Sequence, residues 1–545
     1  MNKLTQNAVF TKRLDWNLST TELFEHFSAL PWSVLLDSAN AAHIDAKFDV
    51  ICAEPVATIV NHGQSTTITR STDRQPLFRF DQQPADNDLD NPKNEYAEKA
   101  AKHSVSSRDP FDLLNELLAE YYPTQKYSPF IFSGGVMGSF SYDIGRVIEK
   151  LPQIAANDIS LPEMNLACYD WALIFDYKTQ SWQLVHYQSQ QALEALELRL
   201  NQLIEPSLLV KVNSTLESSL NVENSLNLEN TQKLNTSKNS ETDQQDNPIA
   251  NSAFRLNGQW RNQLSEQAYK DKFEQVQAYL LSGDCYQINL TQRFSASYTG
   301  NEWQAYKALR ESNGAPFSAF IRLEGHALLS ISPERFIQHK NGDIQTKPIK
   351  GTMPRGVDPH SDSELAAQLK ASEKDRAENV MIVDLLRNDI GKVALPGSVA
   401  VPHLFEVESF PAVHHLVSTV TAKLKPELNP TDLLRACFPG GSITGAPKIR
   451  AMSIIEELEP SRRSLYCGSI GYISQDGTMD TSITIRTLVA QRDETSHLAP
   501  LNGRQGIIHC WAGGGIVADS KVDAEYQESF DKISRILPVL SNLNR

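Results

Sequence analysis

The chain has 545 residues, enough for about three domains of ordinary size. Hydrophobic residues make up 40% and charged residues 21%, which excludes a wholly disordered, collagen-like or disulfide-scaffold protein. A net charge of −15 at pH 7 provides no general attraction to nucleic acid or anionic lipid, so we expect neither partner. An anionic ligand must therefore be held by locally placed cations, a metal or backbone amides.

The six cysteines are dispersed and form no CxxC pair, which argues against a zinc knuckle or a disulfide framework. The N-terminal segment lacks the apolar centre of a secretory signal, and no apolar run approaches the roughly 20 residues of a membrane helix. We therefore expect a cytoplasmic protein with no membrane partner.

Residues 10–205 are predicted to form an N-terminal β-rich portion. Short strands broken by polar turns occupy about Leu30–Phe80, and YDWALIFDY at 169–177 is a strongly apolar strand. Residues 82–108 are polar and are predicted to be an inserted loop. Residues 206–255 are rich in Asn, Ser, Gln and Glu, which indicates a low-complexity linker or insertion that cannot bury enough apolar surface to fold.

Residues 264–540 are predicted to form a large domain with extensive antiparallel sheet, so the fold class is α+β. The domain opens with a helix from Ser265 to about Ser282, followed by strands and then by helices near 362–371 and 373–389. Four apolar residues share one stripe of the opening helix: Tyr269, Phe273, Val276 and Leu280. No βαβ rhythm is visible, which argues against a parallel sheet.

Three glutamates lie on the apolar sides of two predicted helices. Glu378 is in line with the apolar positions that follow it, and Glu525 and Glu528 lie one turn apart near the C-terminus. Three carboxylates on two helices suit a hard cation such as Mg²⁺. The same spacing fits solvated helix charges, or ion pairs with Arg387 or Lys532.

A glycine run and an arginine suggest a carboxylate-binding site. Gly513, Gly514 and Gly515 are predicted to form a turn after a strand, where a ligand carboxylate can approach bare backbone N–H groups. A tight turn or bulge uses the same glycines. In TSITIRT, strand alternation places Arg486 on the face opposite Ile483, ready for bidentate binding of a carboxylate or for a cross-strand salt bridge.

Glu334 and Lys350 lie on two strands joined by HKNGD. A two-residue turn would send their side chains to opposite faces, whereas a three-residue loop with Gly342 left-handed would place them on the same face. We predict the three-residue loop. In a shared pocket, a carboxylic acid beside an amine of lowered pKa forms a competent acid and nucleophile, although an exposed cross-strand pair uses the same residues.

Nine sequence blocks in the C-terminal part resemble those of the chorismate-utilising enzymes: SGDCYQINL, SPERF, PIKGTMPRG, KDRAENVMIVDLLRNDIG, HHLVSTV, FPGGSITGAPKIRAM, CGSIGY, DTSITIRT and AGGGIVADS. The resemblance covers residues 265–540 almost continuously and extends to LLDSA and FDVICAEP near the N-terminus. It implies a two-sheet β core surrounded by helices, chorismate as the substrate and Mg²⁺ as the cofactor.

Matching these motifs implies roles for individual residues. Glu378 and Glu528 are implied to bind Mg²⁺, with Glu525 assisting directly or through water. His415 matches a catalytic pocket position. The implied substrate-binding residues are Gly351, Thr352, Ser442, Tyr466, Arg486, Gly513, Gly514 and Gly515.

Lys350 distinguishes among the reactions of this family. A lysine here implies that its amine attacks C2 of chorismate, that Glu334 protonates the departing 4-hydroxyl, and that ammonia then adds at C4 to give 4-amino-4-deoxychorismate. Gln287 stands where isochorismate-forming relatives carry a lysine that activates water. The alternatives are an anthranilate synthase, in which alanine replaces Lys350, and a noncatalytic tryptophan-binding subunit.

No cysteine lies in a GxCxG turn, so we expect ammonia to come from a separate glutamine amidotransferase subunit. LLDSA resembles a segment that binds tryptophan in relatives. The residues it implies in a tryptophan site are Ser38, Asp45, Ala46, Lys47, Phe48, Pro316, Phe317 and Ser318.

Overall fold

The computed structural model describes residues 8–41, 43–81, 101–225, 253–409, 413–493 and 504–543. The strands in these ranges are β1 Phe10–Leu14, β2 Val34–Asp37, β3 Phe48–Cys52, β4 Ala57–His62, β5 Ser65–Ser71, β6 Ala101–Ser106, β7 Gly135–Phe140, β8 Met164–Tyr169, β9 Trp171–Asp176, β10 Ser181–His186, β11 Arg255–Leu256, β12 Arg261–Asn262, β13 Gln287–Thr299, β14 Phe317–Arg322, β15 His326–Ser332, β16 Arg335–Lys340, β17 Asp343–Thr346, β18 Ile349–Pro354, β19 Ala400–Ser409, β20 Val413–Lys423, β21 Gly445–Ala446, β22 Ser469–Ser474, β23 Met479–Ile483, β24 Thr487–Arg492 and β25 Gln505–Ile516. The α-helices are α1 Thr20–Glu25, α2 Pro110–Tyr121, α3 Gly145–Ile148, α4 Gln190–Ser225, α5 Glu266–Leu281, α6 Glu302–Asn313, α7 Pro359–Ala371, α8 Glu373–Gly391, α9 Pro430–Cys437, α10 Lys448–Leu458, α11 Val522–Asp531 and α12 Leu537–Asn542.

The strands form two large antiparallel sheets, which confirms the α+β class. The first sheet has the order β1-β10-β9-β3-β2-β14-β15-β24-β25-β13-β11, and β12 and β21 also pair with β13. The second has the order β18-β20-β17-β16-β23-β22-β7-β8-β4-β5-β6, and β19 pairs with β20. Each sheet takes strands from both sides of residues 206–255, so that segment does not separate two sheets.

The main hydrophobic core lies between the two sheets. Val50 and Ile321 of the first sheet pack in the same buried cluster as Met137 and Leu166 of the second. A second cluster covers the other face of the first sheet with helices α1, α4 and α6. Burying apolar side chains on both faces explains why strands such as β15 are apolar throughout rather than alternating.

Helix α5 forms as its sequence predicts. The Ser265 side chain accepts a hydrogen bond from the Ala268 N–H, and the helix ends at Ser282 before Gly283, whose φ is 80°. The predicted apolar stripe is buried. Helices α7 and α8 also occupy the ranges that the sequence predicts.

Two of the connections that carry the chain from one sheet to the other contain candidate site residues. Pro333-Glu334 joins β15 of the first sheet to β16 of the second, and residues 484–486 join β23 of the second to β24 of the first. The Ile483 N–H donates to the Glu334 carbonyl at 3.0 Å, and the Ile331 N–H donates to the Arg486 carbonyl at 3.1 Å. Glu334 and Arg486 therefore lie at adjacent crossings.

Three expectations for the N-terminal half differ from the structure. The apolar segment 169–177 is interrupted at Asp170, which separates β8 in the second sheet from β9 in the first. The predicted loop 82–108 contains β6, which pairs with β5 at the edge of the second sheet, while residues 82–100 lie outside the described residues. Helix α4 continues to Ser225 into the predicted linker, and residues 226–252 also lie outside the described residues.

None of the described helices is both long and apolar enough to cross a membrane.

Candidate active site

Glu334 is a buried carboxylate at the first sheet crossing. Its side chain is 7% exposed and accepts a hydrogen bond from the Ser442 hydroxyl at 3.1 Å. Burial raises the pKa of Glu334 to about 7, against the opposing effects of Lys350, Ser442 and the Ile349 N–H. The carboxyl group is therefore able to carry a proton near neutral pH, as a general acid must.

Lys350 lies beside Glu334, although the predicted turn between them is wrong. Lys340 pairs with Asp343, so the turn has two residues, and Asn341 and Gly342 both have positive φ as a type I′ turn requires. The alternation argument fails because Lys347 and Pro348 leave the ladder between β17 and β18. The two charged groups still lie close enough to influence each other's pKa despite the shorter turn.

The amine of Lys350 is surrounded by charges of both signs. Burial lowers the pKa of Lys350, and Lys532 lowers it further, while Glu378, Glu334 and Glu528 oppose the shift. No ion pair between Lys350 and another described residue is present within 4.0 Å. A lysine whose pKa is lowered in this way has more of the neutral amine that is needed for nucleophilic attack.

His415 is a buried neutral imidazole on β20. Burial lowers the pKa of His415 to about 4, and the nearby Arg486 guanidinium lowers it as well. Its Nδ1 lies 2.8 Å from the Thr352 hydroxyl, and its ring bonds to the backbone of Gly351. Gly351 has φ 89°, and a Cβ there would come within 2.9 Å of the Asp375 side chain. His415 and the Gly351-Thr352 segment therefore form one wall of the pocket.

Arg486 lies in the crossing and not in a strand, contrary to the prediction for TSITIRT. Strand β23 ends at Ile483, and Arg486 has φ 51° before β24 begins. Burial lowers the pKa of Arg486, Arg535 lowers it further, and Glu334 opposes the shift. No ion pair to a described residue holds this guanidinium within 4.0 Å, so it is available to a ligand carboxylate.

Gly513, Gly514 and Gly515 lie within β25, so the predicted turn is wrong. They pair with Thr291, Leu290 and Asn289 of β13, respectively. A Cβ at Gly514 would lie 3.0 Å from Glu528 and 3.1 Å from Glu525, and one at Gly515 would lie 2.1 Å from the Gln287 amide. The glycines therefore make room for polar side chains that converge on the strand.

Two of the three predicted metal ligands converge over Gly514. Glu525 on α11 accepts a hydrogen bond from Ser520 at 2.7 Å, while its other carboxylate oxygen is buried and has no hydrogen-bond partner. Glu528 pairs with Lys532 at 2.6 Å, as the ion-pair alternative predicts. Burial raises the pKa of both Glu525 and Glu378.

No group of three histidine, cysteine, aspartate or glutamate side chains within the described ranges is arranged to hold a metal ion. The donor set still fits Mg²⁺ chemically, since this ion commonly combines one or two carboxylates with substrate oxygens and water. The orphaned oxygen of Glu525 and the side-chain space above Gly514 are the features that support this fit.

The remaining predicted pocket residues are buried nearby. Ser442 lies in a 3₁₀ turn, Gly441–Ile443. Tyr466 stacks on Trp511 with ring centroids 5.9 Å apart and an interplanar angle of 6°. Lys532 is predicted from the sequence only as an ion-pair partner, but its ammonium also donates to the Gly513 carbonyl at 2.8 Å. The sequence signal that could have placed Lys532 in the site is its position one helical turn after Glu528.

A separate cavity of about 340 Å³ lies between the two sheets. Seven of the eight residues predicted for a tryptophan site line it: Ser38, Asp45, Lys47, Phe48, Pro316, Phe317 and Ser318. Ala46, the eighth, is not among its lining residues. Arg335, which pairs with Asp45 at 3.1 Å, supplies a charged wall.

The family model for chorismate binding enzymes matches residues 65–538. The chain belongs to this family. The chain is also similar to a crystal structure of anthranilate synthase component I from Streptococcus pneumoniae TIGR4, with 30% sequence identity. The match covers 91% of this chain and 93% of that one, with a TM-score of 0.66.

Curated relatives match over nearly the whole length. An aminodeoxychorismate synthase component 1 from Klebsiella aerogenes is 47% identical over 531 residues, covering 97% of this chain and 98% of the relative. A protein of the same name from Escherichia coli (strain K12) is 46% identical, covering 99% of each chain. These comparisons confirm the family resemblance of the sequence blocks.

Proposed function

We propose that this chain is component 1 of an aminodeoxychorismate synthase, which converts chorismate and ammonia to 4-amino-4-deoxychorismate. The observation that carries the proposal is that Glu334 and Lys350 lie close enough to influence each other's pKa, in a chain 46–47% identical to curated proteins of that name. In anthranilate synthases the family pattern has alanine in place of this lysine.

The two residues divide the first chemical step between them. The neutral amine of Lys350 attacks C2 of chorismate, both conjugated ring double bonds shift toward C4, and the C4–oxygen bond breaks as Glu334 gives its proton to the departing hydroxyl to form water. Ammonia then attacks C4, both double bonds shift back, and the Lys350 amine leaves C2. The Glu334 carboxylate takes the proton that the new amino group loses.

The other pocket residues bind and orient the substrate. The Arg486 guanidinium is suited to one of chorismate's carboxylates because it makes a planar, bidentate contact. His415 is neutral near pH 7, so it adds no charge but accepts or donates a hydrogen bond beside Thr352. Tyr466 and Trp511 form a flat apolar wall that excludes water from the reacting ring.

Mg²⁺ is proposed as the cofactor, held by Glu378 and Glu528 with Glu525 assisting. When bound, this ion neutralises carboxylate charge on the substrate. Without it, Glu525 and Glu528 lie together over Gly514, where an anionic substrate would meet their repulsion.

Ammonia is proposed to come from a separate glutamine amidotransferase subunit. All six cysteines of this chain are buried, and burial raises the pKa of each thiol, so none is an activated thiolate. The isolated chain is expected to consume chorismate with ammonium salts but hardly at all with glutamine. Efficient use of glutamine by the pure chain would contradict this assignment.

We further propose that the cavity between the sheets binds tryptophan, because the residues matched from LLDSA line it together with residues 316–318. A ligand that binds only the folded state raises the melting temperature, and the rise grows with the logarithm of the ligand concentration divided by Kd. Acid extraction of the purified protein should release tryptophan, and added tryptophan should raise the melting temperature of protein freed of it. Neither effect is expected if the cavity serves packing alone.

The proposed reaction is tested by identifying the product formed from chorismate, Mg²⁺ and ammonium ion. We expect a product that keeps the enolpyruvyl group and gains nitrogen in place of the 4-hydroxyl. Formation of anthranilate with release of pyruvate would contradict the proposal and would identify the chain as an anthranilate synthase component. Absence of turnover by folded protein would favour a noncatalytic subunit.

A further inference from the structure

A buried ion pair lies directly behind the candidate active site. Arg463 and Glu459 are joined by two hydrogen bonds of 2.9 and 2.7 Å, and their side chains are 1% and 5% exposed. Burying two charges costs desolvation that their attraction barely offsets, so such pairs contribute little to stability. A role in fixing geometry therefore has to be sought in what the pair contacts.

Arg463 bonds to two segments that carry pocket residues. Its guanidinium donates to the Ile443 carbonyl at 2.8 Å, within the turn that contains Ser442. It also donates to the Asn289 carbonyl at 2.8 Å, on the strand that pairs with the glycine run. One planar side chain thus joins β13 to the Ser442 turn.

Glu459 holds the same strand from a second point. Its carboxylate accepts hydrogen bonds from the Thr291 N–H at 3.0 Å and from the Thr291 hydroxyl at 2.8 Å. The Tyr466 N–H donates to the Arg463 carbonyl at 3.0 Å, which adds a third pocket segment. Arg463 and Glu459 therefore contact the backbone of β13, of the Ser442 turn and of the segment that carries Tyr466.

We propose that Arg463 and Glu459 are positioning residues, which hold Ser442 against Glu334 and so fix the orientation of the proposed general acid. The inference rests on the proposed function, because it concerns the acid of that reaction. Ser442 is the one hydroxyl whose hydrogen bond to the Glu334 carboxylate is present at 3.1 Å among the described side chains. We call the Arg463–Glu459 ion pair the clamp. Loss of the clamp should weaken the hydrogen bond from Ser442 to Glu334 and so change the environment of the Glu334 carboxyl group.

Breaking the hydrogen bond from Ser442 to Glu334 should change the pKa of Glu334 in a definite direction. A hydroxyl that donates to a carboxylate favours its ionised form, so losing the bond raises the pKa of Glu334. Turnover needs the protonated acid and falls as pH rises through that pKa. The alkaline limb of the pH profile should therefore move to higher pH when the clamp is broken.

The experiment measures chorismate consumption against pH, at constant free ammonia, in wild type, Arg463→Lys, Ser442→Ala and the double variant. Lysine keeps the charge but cannot reach both carbonyls and the carboxylate. Both single variants should move the alkaline limb upward by about half to one pH unit, and the double variant should move it no further. Arg463→Lys should also lower kcat about tenfold while KM for chorismate changes less than about twofold.

Arg322→Lys is the matched control, since Arg322 is also a buried arginine paired with a glutamate but lies away from the pocket. It should lower the melting temperature without moving the limb. Shifts that add in the double variant, or a loss of stability by Arg463→Lys with no shift, would overturn the proposal. If Arg463→Lys does not fold, Glu459→Gln gives the same test with the same contradicting result.

The clamp is judged on the pH limb of chorismate consumption whichever product forms. The proposed function is judged on the identity of the product. A result that contradicts one of the two proposals therefore does not by itself contradict the other.

Discussion

The pKa values of two buried glutamates in this chain are shifted in opposite directions. Glu302 is fully buried, yet its pKa is held well below its usual range because Arg492 and Arg322 offset its burial. Glu334 is also buried, but its pKa is raised to about 7. Its hydrogen bonds come from one neutral hydroxyl and one backbone N–H, and Lys350 forms no direct ion pair with it.

The difference shows that burial alone does not define a reactive carboxyl group. A buried carboxylate that receives two guanidinium groups is fixed as an anion and serves the packing around α6. One left without a cationic hydrogen-bond donor keeps its proton near neutral pH and can transfer it. Substitutions at the two kinds of site should therefore differ in whether they change the reaction or the stability of the fold.

The largest expected effect is on Lys350. Lys350→Ala removes the nucleophile and should lower the rate of C4 amination by more than about 10³-fold, with binding of chorismate retained. Product formation is followed by chromatography, and binding by calorimetry. Lys423→Ala, at an exposed lysine paired with Asp343, is the control and should keep the wild-type rate. Full amination by Lys350→Ala would rule out the nucleophile assignment.

Glu334→Gln keeps the shape of the side chain but cannot transfer a proton. The rate should fall by roughly 10²–10³-fold. In wild type, activity should fall as pH rises through about 7, where Glu334 loses its proton, and this limb should vanish in the variant. A variant profile with the same limb would assign that limb to another group.

Glu302→Gln should have the reverse outcome. Removing the carboxylate leaves Arg322 and Arg492 buried without their partner, at a cost of about 3–5 kcal/mol in the free energy of unfolding. Denaturant titration measures that loss. The pH profile of the remaining folded enzyme should match wild type, and a shifted profile would show that the two glutamates are coupled.

Glu528→Gln tests the metal proposal on α11. Losing one charged ligand should raise the Mg²⁺ concentration needed for half-maximal turnover by about 10–100-fold. Asp523→Asn on the same helix is the control, because Asp523 is exposed and pairs with Lys270. Unchanged Mg²⁺ dependence in Glu528→Gln would eliminate this residue as a ligand.

The smallest effect is expected at the turn between β16 and β17. Gly342 has φ 83°, and alanine there should cost about 1 kcal/mol in the free energy of unfolding. Because nothing lies within 4 Å of the added Cβ, turnover should be unchanged. A loss of activity would mean that the turn controls the spacing of Glu334 and Lys350.

Local patterns in the sequence predicted much of this fold. The buried stripe of α5 and the strand content of both halves follow from hydrophobic spacing, which depends on near neighbours. The breaks at Asp170 and at residues 484–486 were missed, because the chain stays apolar on both sides of the point at which it changes sheets. The glycine run was predicted to be a turn, but it lies in a strand. The strand needs glycine because α11 packs its glutamates against it, and that long-range contact is not visible in the local sequence.

The candidate site was predicted mainly from motif resemblance. Strand alternation did not predict the relative placement of Glu334 and Lys350. Two residues between β17 and β18 lie outside the ladder, so counting residues along the chain no longer tells which face of the sheet a side chain is on. Arg463 and Glu459 were missed. Their i, i+4 spacing in EPSRRSLY was visible, but the groups to which they hydrogen-bond lie up to 174 positions away in the chain.

The most direct test of the account is rapid acid quenching of the wild-type enzyme during its first turnover of chorismate with Mg²⁺ and no ammonia, followed by peptide mapping. The account predicts that Lys350 carries chorismate less one molecule of water, that Lys423 is unmodified, and that the adduct disappears when ammonia is added. Aminated product formed in a parallel reaction with ammonia, with Lys350 unmodified at every quench time, would contradict the central claim that this lysine is the nucleophile.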